Sequence, residues 1–416
     1  MVSPERVLDQ SMELNSKDGA FSKLKNKKRF VSIAIIAATA AILCAILPGP
    51  LGGLKYYPVK HQIAPLKSVL PKWPSRNDSL LQFASIEFQD RLFGPESIEF
   101  DPQGNGPYTG LGDGRIVRWM PDRGWETFAL SSINWNREEC DNGDDPRRRV
   151  RNEHVCGRPL GLRFDPRSGD LYIADSYYGL LVVGPKGGIA RPLVSEVEGI
   201  PIKFANDLDV HPNGSVYFTD TSTRWNRRLH HMVIVEGENT GRLLRYDPNT
   251  GNAVVVLRGL AFANGVQLAS DQSFLLVVET TNCRVLKLWL KGNLTGTLEV
   301  FADLPGYPDN VRINDKGQFW VAIDCCRNRI QEIMSSTPWL KSLVFRVPVP
   351  LSWIMYVVGE KMYSVAALFD KRGRLLRRLE DREARIVKLI SEVYEKDGKI
   401  WFGTVVHDQI TSFILP

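Results

Sequence analysis

Several familiar signals are missing from this chain of 416 residues. It has no glycine-rich phosphate loop, no zinc-type cysteine pair and no dinucleotide fingerprint, which excludes the commonest nucleotide and zinc sites. It also lacks a Gly-x-Ser-x-Gly elbow, so a serine-hydrolase mechanism is not expected. The net charge is only +6, and the basic runs 147–149 and 371–378 carry no interleaved aromatic residues. We therefore expect no nucleic-acid partner.

Long amphipathic helical patterns are also scarce, and the best candidate covers residues 329–343. From about Leu80 onward, short apolar runs rich in β-branched and aromatic residues recur, as in SVYFTD and QFWVAI. Glycine, proline, asparagine and aspartate separate these runs. Hydrophobic residues make up 43% of the chain and charged residues 24%, which is typical of a folded globular protein. The pattern predicts an all-β domain over residues 80–416.

A tight polar turn recurs six times among these runs. The turns begin at Asp101, Asp165, His211, Ala269, Asn314 and Glu395. The shorter spacings match the roughly 40 to 50 residues of a four-stranded propeller blade. We therefore predict a six-bladed β-propeller whose ring closes through a strand near residues 81–88 beside the last blade. A pair of β-sandwiches is the alternative, but it does not explain the repeated turn.

The residue five positions before each turn suggests a metal site. In four of the six repeats this position holds an oxygen ligand: Glu96, Asn206, Asn264 and Asp309. In a radial arrangement these side chains would converge near the axis, where Ca²⁺ could bind them. Asn310 could supply a fifth side chain, whereas Asp207 is a weaker candidate. The alternative interpretation is that these residues only cap the backbone of the turns.

A calcium ion at the axis could be structural or catalytic. A catalytic role requires a proton-transfer partner nearby. The candidates are the histidines His154 and His407 and the strand-end acid Asp220, together with the equivalent acids Asp175 and Glu279. For each histidine, an ordinary hydrogen-bonding role is the alternative.

The N-terminal region suggests a membrane protein. The uncharged run 30–47 follows a cluster of lysines and Arg29, which predicts a cytoplasmic basic tail at 1–29 and a transmembrane signal-anchor at 30–48. Residues 49–79 then form a linker. A cleaved signal peptide is the alternative. Both interpretations place the propeller in a lumen or outside the cell, and we expect a single-pass protein of the endoplasmic reticulum or vacuole, with the plasma membrane also possible.

Other features fit such a compartment. Asn77, Asn213 and Asn293 begin glycosylation acceptor patterns. Cys140 and Cys156 bracket a charged insertion that a disulfide would staple. The remaining cysteines after the apolar run, Cys283, Cys325 and Cys326, are expected to be small buried residues, with a vicinal disulfide between the last two as the alternative.

Nine segments in order resemble one family: GPESIEFD, CGRPLGLRFDP, LYIADSYYGLLVVGPKGG, FANDLDV, VYFTDTSTRW, GRLLRYDP, ANGVQL, YPDNVRI and ISEVYEKDGKIWFGT. The chain resembles the strictosidine synthase-like family of plants and its animal relative, the adipocyte plasma membrane-associated protein. The resemblance implies a six-bladed propeller, a loop disulfide between Cys140 and Cys156, and a luminal or membrane-anchored setting.

The wider superfamily includes paraoxonases and gluconolactonases, which are calcium-dependent esterases and lactonases. Motif by motif, its metal ligands fall on Glu96, Asn206, Asn264, Asp309 and Asn310 of this chain. True strictosidine synthases join tryptamine and secologanin with a catalytic glutamate and lack the amide and acid ligands. This chain has cysteine, in the segment 323–326, where that glutamate is expected. Both departures argue against alkaloid synthesis.

The expected function is therefore that of a calcium-dependent arylesterase or lactonase acting on a small-molecule ester or lactone. One alternative is a non-catalytic binding or scaffold protein with structural calcium, serving cell-surface or wall assembly in plants. The other is a condensing synthase acting on an amine and an aldehyde.

Overall fold

The computed structural model describes residues 29–32, 35, 38, 39, 42, 43, 46, 47, 49–51, 53–73, 79–89, 92–141, 146–350, 353, 354 and 363–416. By its internal contacts the chain divides into two compact units. The smaller unit comprises Met1–Tyr56 and Trp339–Val357, and the larger comprises Tyr57–Pro338 and Val358–Pro416. Every β-strand named below belongs to the larger unit.

Six four-stranded sheets form the larger unit, and the strands of each are named from the innermost outward, except that an isolated bridge adds a further inner segment beside β2 in the first sheet. The first is β2 (Tyr108–Gly110), β3 (Arg115–Met120), β4 (Gly124–Leu130) and β8 (Gly188–Ile189); the second is β5 (Pro159–Phe164), β6 (Leu171–Asp175), β7 (Gly179–Val183) and β9 (Arg191–Val194); the third is β12 (Ala205–Val210), β13 (Val216–Asp220), β14 (Gly241–Asp247) and β15 (Asn252–Leu260). The fourth is β16 (Ala263–Leu268), β17 (Phe274–Glu279), β18 (Arg284–Trp289) and β19 (Leu298–Asp303); the fifth is β20 (Tyr307–Ile313), β21 (Phe319–Cys325), β22 (Tyr363–Phe369) and β23 (Leu375–Asp381); the sixth is β24 (Ile390–Lys396), β25 (Lys399–Thr404), β26 (Thr411–Ile414) and β1 (Ser85–Ile86). A small hairpin of β10 (Glu196–Val197) and β11 (Ile200–Pro201) lies outside these sheets. The predicted all-β, six-bladed propeller is confirmed.

The ring closes as the sequence predicted. The sixth sheet takes β24 to β26 from the end of the chain and its outer strand, β1, from the start of the propeller. Only two residue pairs join them, Ser85 with Ser412 and Ile86 with Thr411. In the first sheet, Glu99 pairs with Tyr108, so the segment carrying Glu96 lies inside β2.

The core is distributed around the ring. An apolar cluster fills each of the six interfaces between neighbouring sheets. Phe218 lies between the second and third sheets and Val277 between the third and fourth, and both are fully buried. Each large apolar side chain buried in this way contributes about 1.5–3 kcal/mol. One blade alone cannot cover both faces of its sheet, so stability depends on the complete ring.

Helices with defined bounds are few and short. They are α1 (Leu66–Val69), α2 (Arg137–Cys140), α3 (Pro146–Cys156), α4 (His230–Glu236), α5 (Arg329–Ser336) and α6 (Pro338–Val344), with single 3₁₀ turns at Leu70–Lys72, Leu80–Phe83 and Arg227–Leu229. The helical candidate at 329–343 is thus confirmed as two helices. The charged insertion between Cys140 and Cys156 was expected to be a loop, but α3 forms within it.

Two disulfides are present in the described part of the chain. One joins Cys140 to Cys156 and closes the charged insertion, as predicted. The other joins the neighbours Cys325 and Cys326, as the alternative interpretation held; Cys325 is also buried, as expected, whereas Cys326 is partly exposed. Among the described residues Cys283 is a buried free thiol, as expected.

Across the described part of the chain, we find no helix with the length and apolarity needed to cross a membrane. Several residues of the predicted anchor at 30–48 lie outside the described set, and so do most of the tail at 1–29 and the acceptor Asn77. The other two predicted glycosylation acceptors, Asn213 and Asn293, are exposed.

Candidate metal centre

The innermost strands share a local irregularity. The pairing with the second strand shifts between Ala205 and Leu208 in β12, between Ala263 and Val266 in β16, and between Pro308 and Val311 in β20. Strands β5 and β24 shift at the corresponding place. A β-bulge re-aims the side chains of the residues it contains. In these strands the bulged residues include the four predicted ligands Asn206, Asn264, Asp309 and Asn310.

Glycine allows the inner strands to lie side by side at this level. A Cβ atom added to Gly265 would lie 2.7 Å from the Cα of Asn310, in the neighbouring inner strand. One added to Gly161 would lie 2.7 Å from the Cα of Asp207 in the same way. Real Cβ atoms do not approach backbone so closely, so the sequence needs glycine at both positions.

The amide groups of Asn206 and Asn264 are held by the same arrangement in adjacent blades. Asn206 Nδ2 donates to Thr221 Oγ1 at 2.9 Å, and that hydroxyl donates to the Ala263 carbonyl at 2.7 Å. Asn264 Nδ2 donates to Thr280 Oγ1 at 2.9 Å, and Thr280 donates to the Pro308 carbonyl at 2.7 Å. Because each hydroxyl has already given its proton to a carbonyl, it can only accept from the amide nitrogen. The amide oxygens must therefore point away from the threonines.

Asn310 is oriented by a carboxylate instead. Its Nδ2 donates to Glu392 Oε2 at 3.1 Å, and both residues are fully buried. The other oxygen of Glu392 contacts the Arg312 guanidinium. Burial raises the pKa of Glu392 to about 8, although Arg312 opposes the shift. Asn310 Oδ1 is thus left to face another direction.

Two carboxylates complete the set. Glu96 is 2% exposed, its Oε2 lies 3.9 Å from Arg158 Nη2, and burial raises its pKa to about 7. Asp309 remains partly exposed. Burial nevertheless raises the pKa of Asp309 well above its ordinary value, and the charge of Glu96 raises it further. The two acids, from the first and fifth blades, are therefore close enough to repel each other.

Four buried oxygens of this set have no hydrogen-bond partner: Glu96 Oε2, Asn206 Oδ1, Asn264 Oδ1 and Asn310 Oδ1. Buried polar atoms are nearly always paired, so four orphans in the inner segments of the first, third, fourth and fifth blades need an explanation. Carboxylate and amide oxygens are the donors that Ca²⁺ prefers. The residues therefore fit a calcium ion. No group of three or more His, Cys, Asp and Glu side chains in the described residues could hold a metal, and this set differs because three of its five members are asparagines.

In the next layer along the axis, the polar side chains form hydrogen bonds with one another. Arg163 Nη1 donates to Glu99 Oε2 at 2.6 Å, and Gln267 Nε2 donates to Asp209 Oδ2 at 2.7 Å. Arg312 binds both oxygens of Asp207, at 2.7 and 2.8 Å, which leaves this acid unsuitable as a metal ligand. These side chains are bonded to one another, in contrast to the unpartnered oxygens in the layer of Glu96 and Asp309.

The three predicted catalytic residues are placed differently. His154 is exposed on α3, with Nδ1 2.9 Å from the Arg151 carbonyl. Asp220 is buried: its Oδ2 accepts from Arg242 at 2.6 Å and its Oδ1 accepts from the Phe204 N–H at 3.2 Å. Asp175 likewise accepts a hydrogen bond from the backbone N–H of Arg158, and Glu279 accepts one from that of Ala261. These contacts give Asp220 a structural role in holding a loop, and its catalytic role stays a prediction.

His407 remains of interest. Its Nε2 is buried without a hydrogen-bond partner, and burial lowers the pKa of the imidazole. The His407 carbonyl accepts from the Gly94 N–H at 2.8 Å, and the Gly94 carbonyl accepts from Arg158 at 2.9 Å. His407 thus lies beside the segment that leads into Glu96.

Sequence reasoning missed the residues that orient the ligands, namely Thr221, Thr280, Glu392 and Arg312. A signal for the first two was present, because each threonine directly follows the acid that ends a second strand, in FTDT and VVETT. Nothing in the sequence alone marked Arg312 and Glu392 as partners.

Comparison with known proteins agrees with this architecture. The family model described as Strictosidine synthase matches residues 206–293, and the model described as Strictosidine synthase-like, N-terminal, matches residues 75–119. The chain is 53% identical over 391 residues to Protein STRICTOSIDINE SYNTHASE-LIKE 13 of Arabidopsis thaliana, covering 92% of this chain and 94% of that protein. This chain belongs to the strictosidine synthase-like family.

The strictosidine synthase-like chain also has a relative in an animal. It is 36% identical over 333 residues to the Adipocyte plasma membrane-associated protein of Salmo salar, covering 78% of this chain and 76% of that protein. A gluconolactonase from Xanthomonas campestris superimposes with a TM-score of 0.53 at 13% identity, covering 89% and 99% of the two chains. A calcium-binding regucalcin from Agrobacterium tumefaciens gives 0.50 at 14% identity, covering 80% and 94%. At such low identity these structures share the fold alone.

Proposed function

We propose that this strictosidine synthase-like protein is a calcium-dependent hydrolase of esters or lactones. The observation that carries the proposal is the group of four buried, unpartnered oxygens on Glu96, Asn206, Asn264 and Asn310. A buried donor set left unsatisfied costs free energy and persists where function requires it. Two proteins with this fold are a gluconolactonase and a calcium-binding regucalcin, which favours a calcium-dependent hydrolase.

Each residue of the centre has a distinct role in this proposal. Glu96 and Asp309 provide the negative charge that a divalent cation requires, while the asparagines add oxygens without adding repulsion. Thr221 and Thr280 keep the amide oxygens of Asn206 and Asn264 turned toward the centre. A bound Ca²⁺ would act as a Lewis acid on a carbonyl oxygen of the substrate.

The partial exposure of Asp309 indicates where a substrate would enter. Among the five predicted ligands it alone is not fully buried. An ester or lactone carbonyl would therefore approach the centre beside Asp309, where a coordination position could stay open. A purely structural site would not need such an open coordination position.

We further propose that the propeller is luminal and held by an N-terminal anchor at 30–48. The disulfide between Cys140 and Cys156 is a bond of oxidising compartments. Asn213 and Asn293 are exposed and would be accessible to glycosylation.

The proposal is tested with purified full-length protein and a panel of aryl acetates and lactones. We expect hydrolysis to require calcium and to vanish with a chelator or with Asp309→Asn, while metal analysis finds bound calcium. Thermal unfolding is followed in parallel. Calcium that raises the melting temperature without any hydrolysis across the panel would instead support a scaffold, and absence of bound calcium would refute the centre itself.

A further inference from the structure

The fifth blade departs from its neighbours beside the centre. The register pairs Ala205 with Asp220, Ala263 with Glu279, and Pro308 with Ile323. The next residues are therefore equivalent: Thr221, Thr280 and Asp324. In the third and fourth blades this position is the threonine that holds the ligand asparagine. In the fifth blade the ligand position is Asp309 and its companion is a second acid, Asp324.

In its ionised form Asp324 cannot perform the threonine's task. An ionised carboxylate has no hydrogen to give to the Asp309 oxygens or to a neighbouring carbonyl. Its Oδ1 is buried with no hydrogen-bond partner, and the residue is otherwise partly exposed. The strand-end acids Asp220 and Glu279 each accept a backbone N–H, but Ile323 occupies their position in this blade and packs in the apolar core. Asp324 therefore serves neither structural role.

The surroundings of Asp324 suit a catalytic group. It lies near the end of the core strand β21 and directly precedes the disulfide of Cys325 and Cys326, so its backbone is fixed. It pairs in register with Tyr307, two residues before Asp309. Asp309 is also the predicted ligand that keeps partial exposure, and the charge of Asp324 raises the pKa of Asp309, so the two acids lie close together. A free carboxylate oxygen beside the substrate entrance is positioned to receive a proton.

We propose that Asp324 is the proton acceptor of the hydrolysis, an inference that rests on the proposed function. The Asp324 carboxylate removes one proton from water as the water oxygen bonds to the ester carbonyl carbon. The bond from that carbon to the leaving oxygen then breaks, and Asp324 returns the proton to the leaving alkoxide. Ester and water thus become acid and alcohol, and Asp324 is regenerated.

The test compares Asp324→Asn with Asp324→Thr, which installs the residue of the neighbouring blades, and with Asp220→Asn as a structural control. Phenyl acetate and a δ-lactone are the substrates, and the full-length chain is assayed with calcium chloride. We expect both Asp324 variants to lose about 100-fold or more in kcat, the usual contribution of a general base. Calcium binding should be retained. Both substitutions remove a buried unpaired carboxylate, so the melting temperature should stay the same or rise. Asp220→Asn should lower the melting temperature.

Hydroxylamine as the nucleophile provides a second measurement. Its neutral nitrogen attacks an ester before losing a proton, and the phenoxide that leaves can take that proton afterwards, so Asp324→Asn should still convert phenyl acetate to the hydroxamate at a rate near that of the unmodified protein. An unchanged kcat, loss of calcium binding, or a fall in melting temperature as large as that of Asp220→Asn would each overturn the inference. If the unmodified protein hydrolyses nothing, the proposed function itself fails and the inference with it; an active protein with an active Asp324→Asn variant refutes the inference alone.

Discussion

The hydroxyl of Thr280 offers a sharp test of how the centre is built. Replacing Thr280 with valine keeps the shape of the side chain but removes the group that accepts from Asn264 and donates to the Pro308 carbonyl. Thr and Val are not equivalent in a core because of this hydroxyl. Two buried hydrogen bonds are lost, each worth about 0.5–1.5 kcal/mol net, and two polar groups are left unsatisfied.

The expected cost is therefore about 2–4 kcal/mol in the free energy of unfolding without metal. The Asn264 amide is also no longer held with its oxygen toward the centre. Losing a residue that orients a metal ligand typically weakens metal affinity by about 10–100-fold. Denaturant unfolding in a chelator measures the first quantity, and calorimetric titration with calcium measures the second.

The second blade contains a matched control. Ser176 occupies the position equivalent to Thr280, but the inner strand there carries Leu160 in place of an asparagine. The Ser176 hydroxyl is buried and has no partner. Ser176→Ala should therefore leave calcium affinity unchanged. Equal losses of affinity in Thr280→Val and Ser176→Ala would show that amide orientation is not what the hydroxyl provides.

Three other outcomes follow from the same geometry. Arg312→Met leaves the buried Asp207 and Glu392 without their counter-charge, and urea unfolding should show a loss of about 3–5 kcal/mol; a loss below about 1 kcal/mol would contradict the pairing. Burial raises the pKa of Glu96 from 4.5 to about 7, so ionisation is disfavoured in the folded state; the melting temperature in chelator should fall as pH rises from 4.5 through 7, and calcium should reverse the fall. A melting temperature that does not change with pH in this range would contradict the raised pKa of Glu96. Cys156→Ser, which opens a disulfide across a separation of 16 residues, should cost about 3 kcal/mol in non-reducing calorimetry and have no effect under reductant.

Much of the fold was accessible from the sequence because turn chemistry is local. The recurring turns fixed the number of blades, and the fixed offset from each turn identified Glu96, Asn206, Asn264 and Asp309. The strand near Ser85 was correctly expected to close the ring. These features depend on short stretches whose glycine, proline and asparagine residues restrict the backbone in a known way.

What could not be predicted depends on register across strands. Counting from its turn makes Asp324 look equivalent to the strand-end acid Glu279, whereas pairing with the inner strand makes it equivalent to Thr280. Likewise, Asp220 looked like a free acid in the sequence, but Arg242 and a backbone N–H donate hydrogen bonds to its two carboxylate oxygens. Such partners come from neighbouring strands or loops, so only the folded chain reveals them.

The way the ring closes has a consequence for biosynthesis. Glu96 is made early, yet its neighbours in the sixth blade, such as Ser391, which bonds the Glu96 carbonyl at 3.1 Å, leave the ribosome near the end of translation. Contacts so distant in sequence form slowly, and none of the earlier blades can replace the last one. A nascent chain arrested before Thr411 could assemble five sheets and still lack the strand pairing that closes the ring, so we expect the proposed calcium to bind only after release of the complete polypeptide.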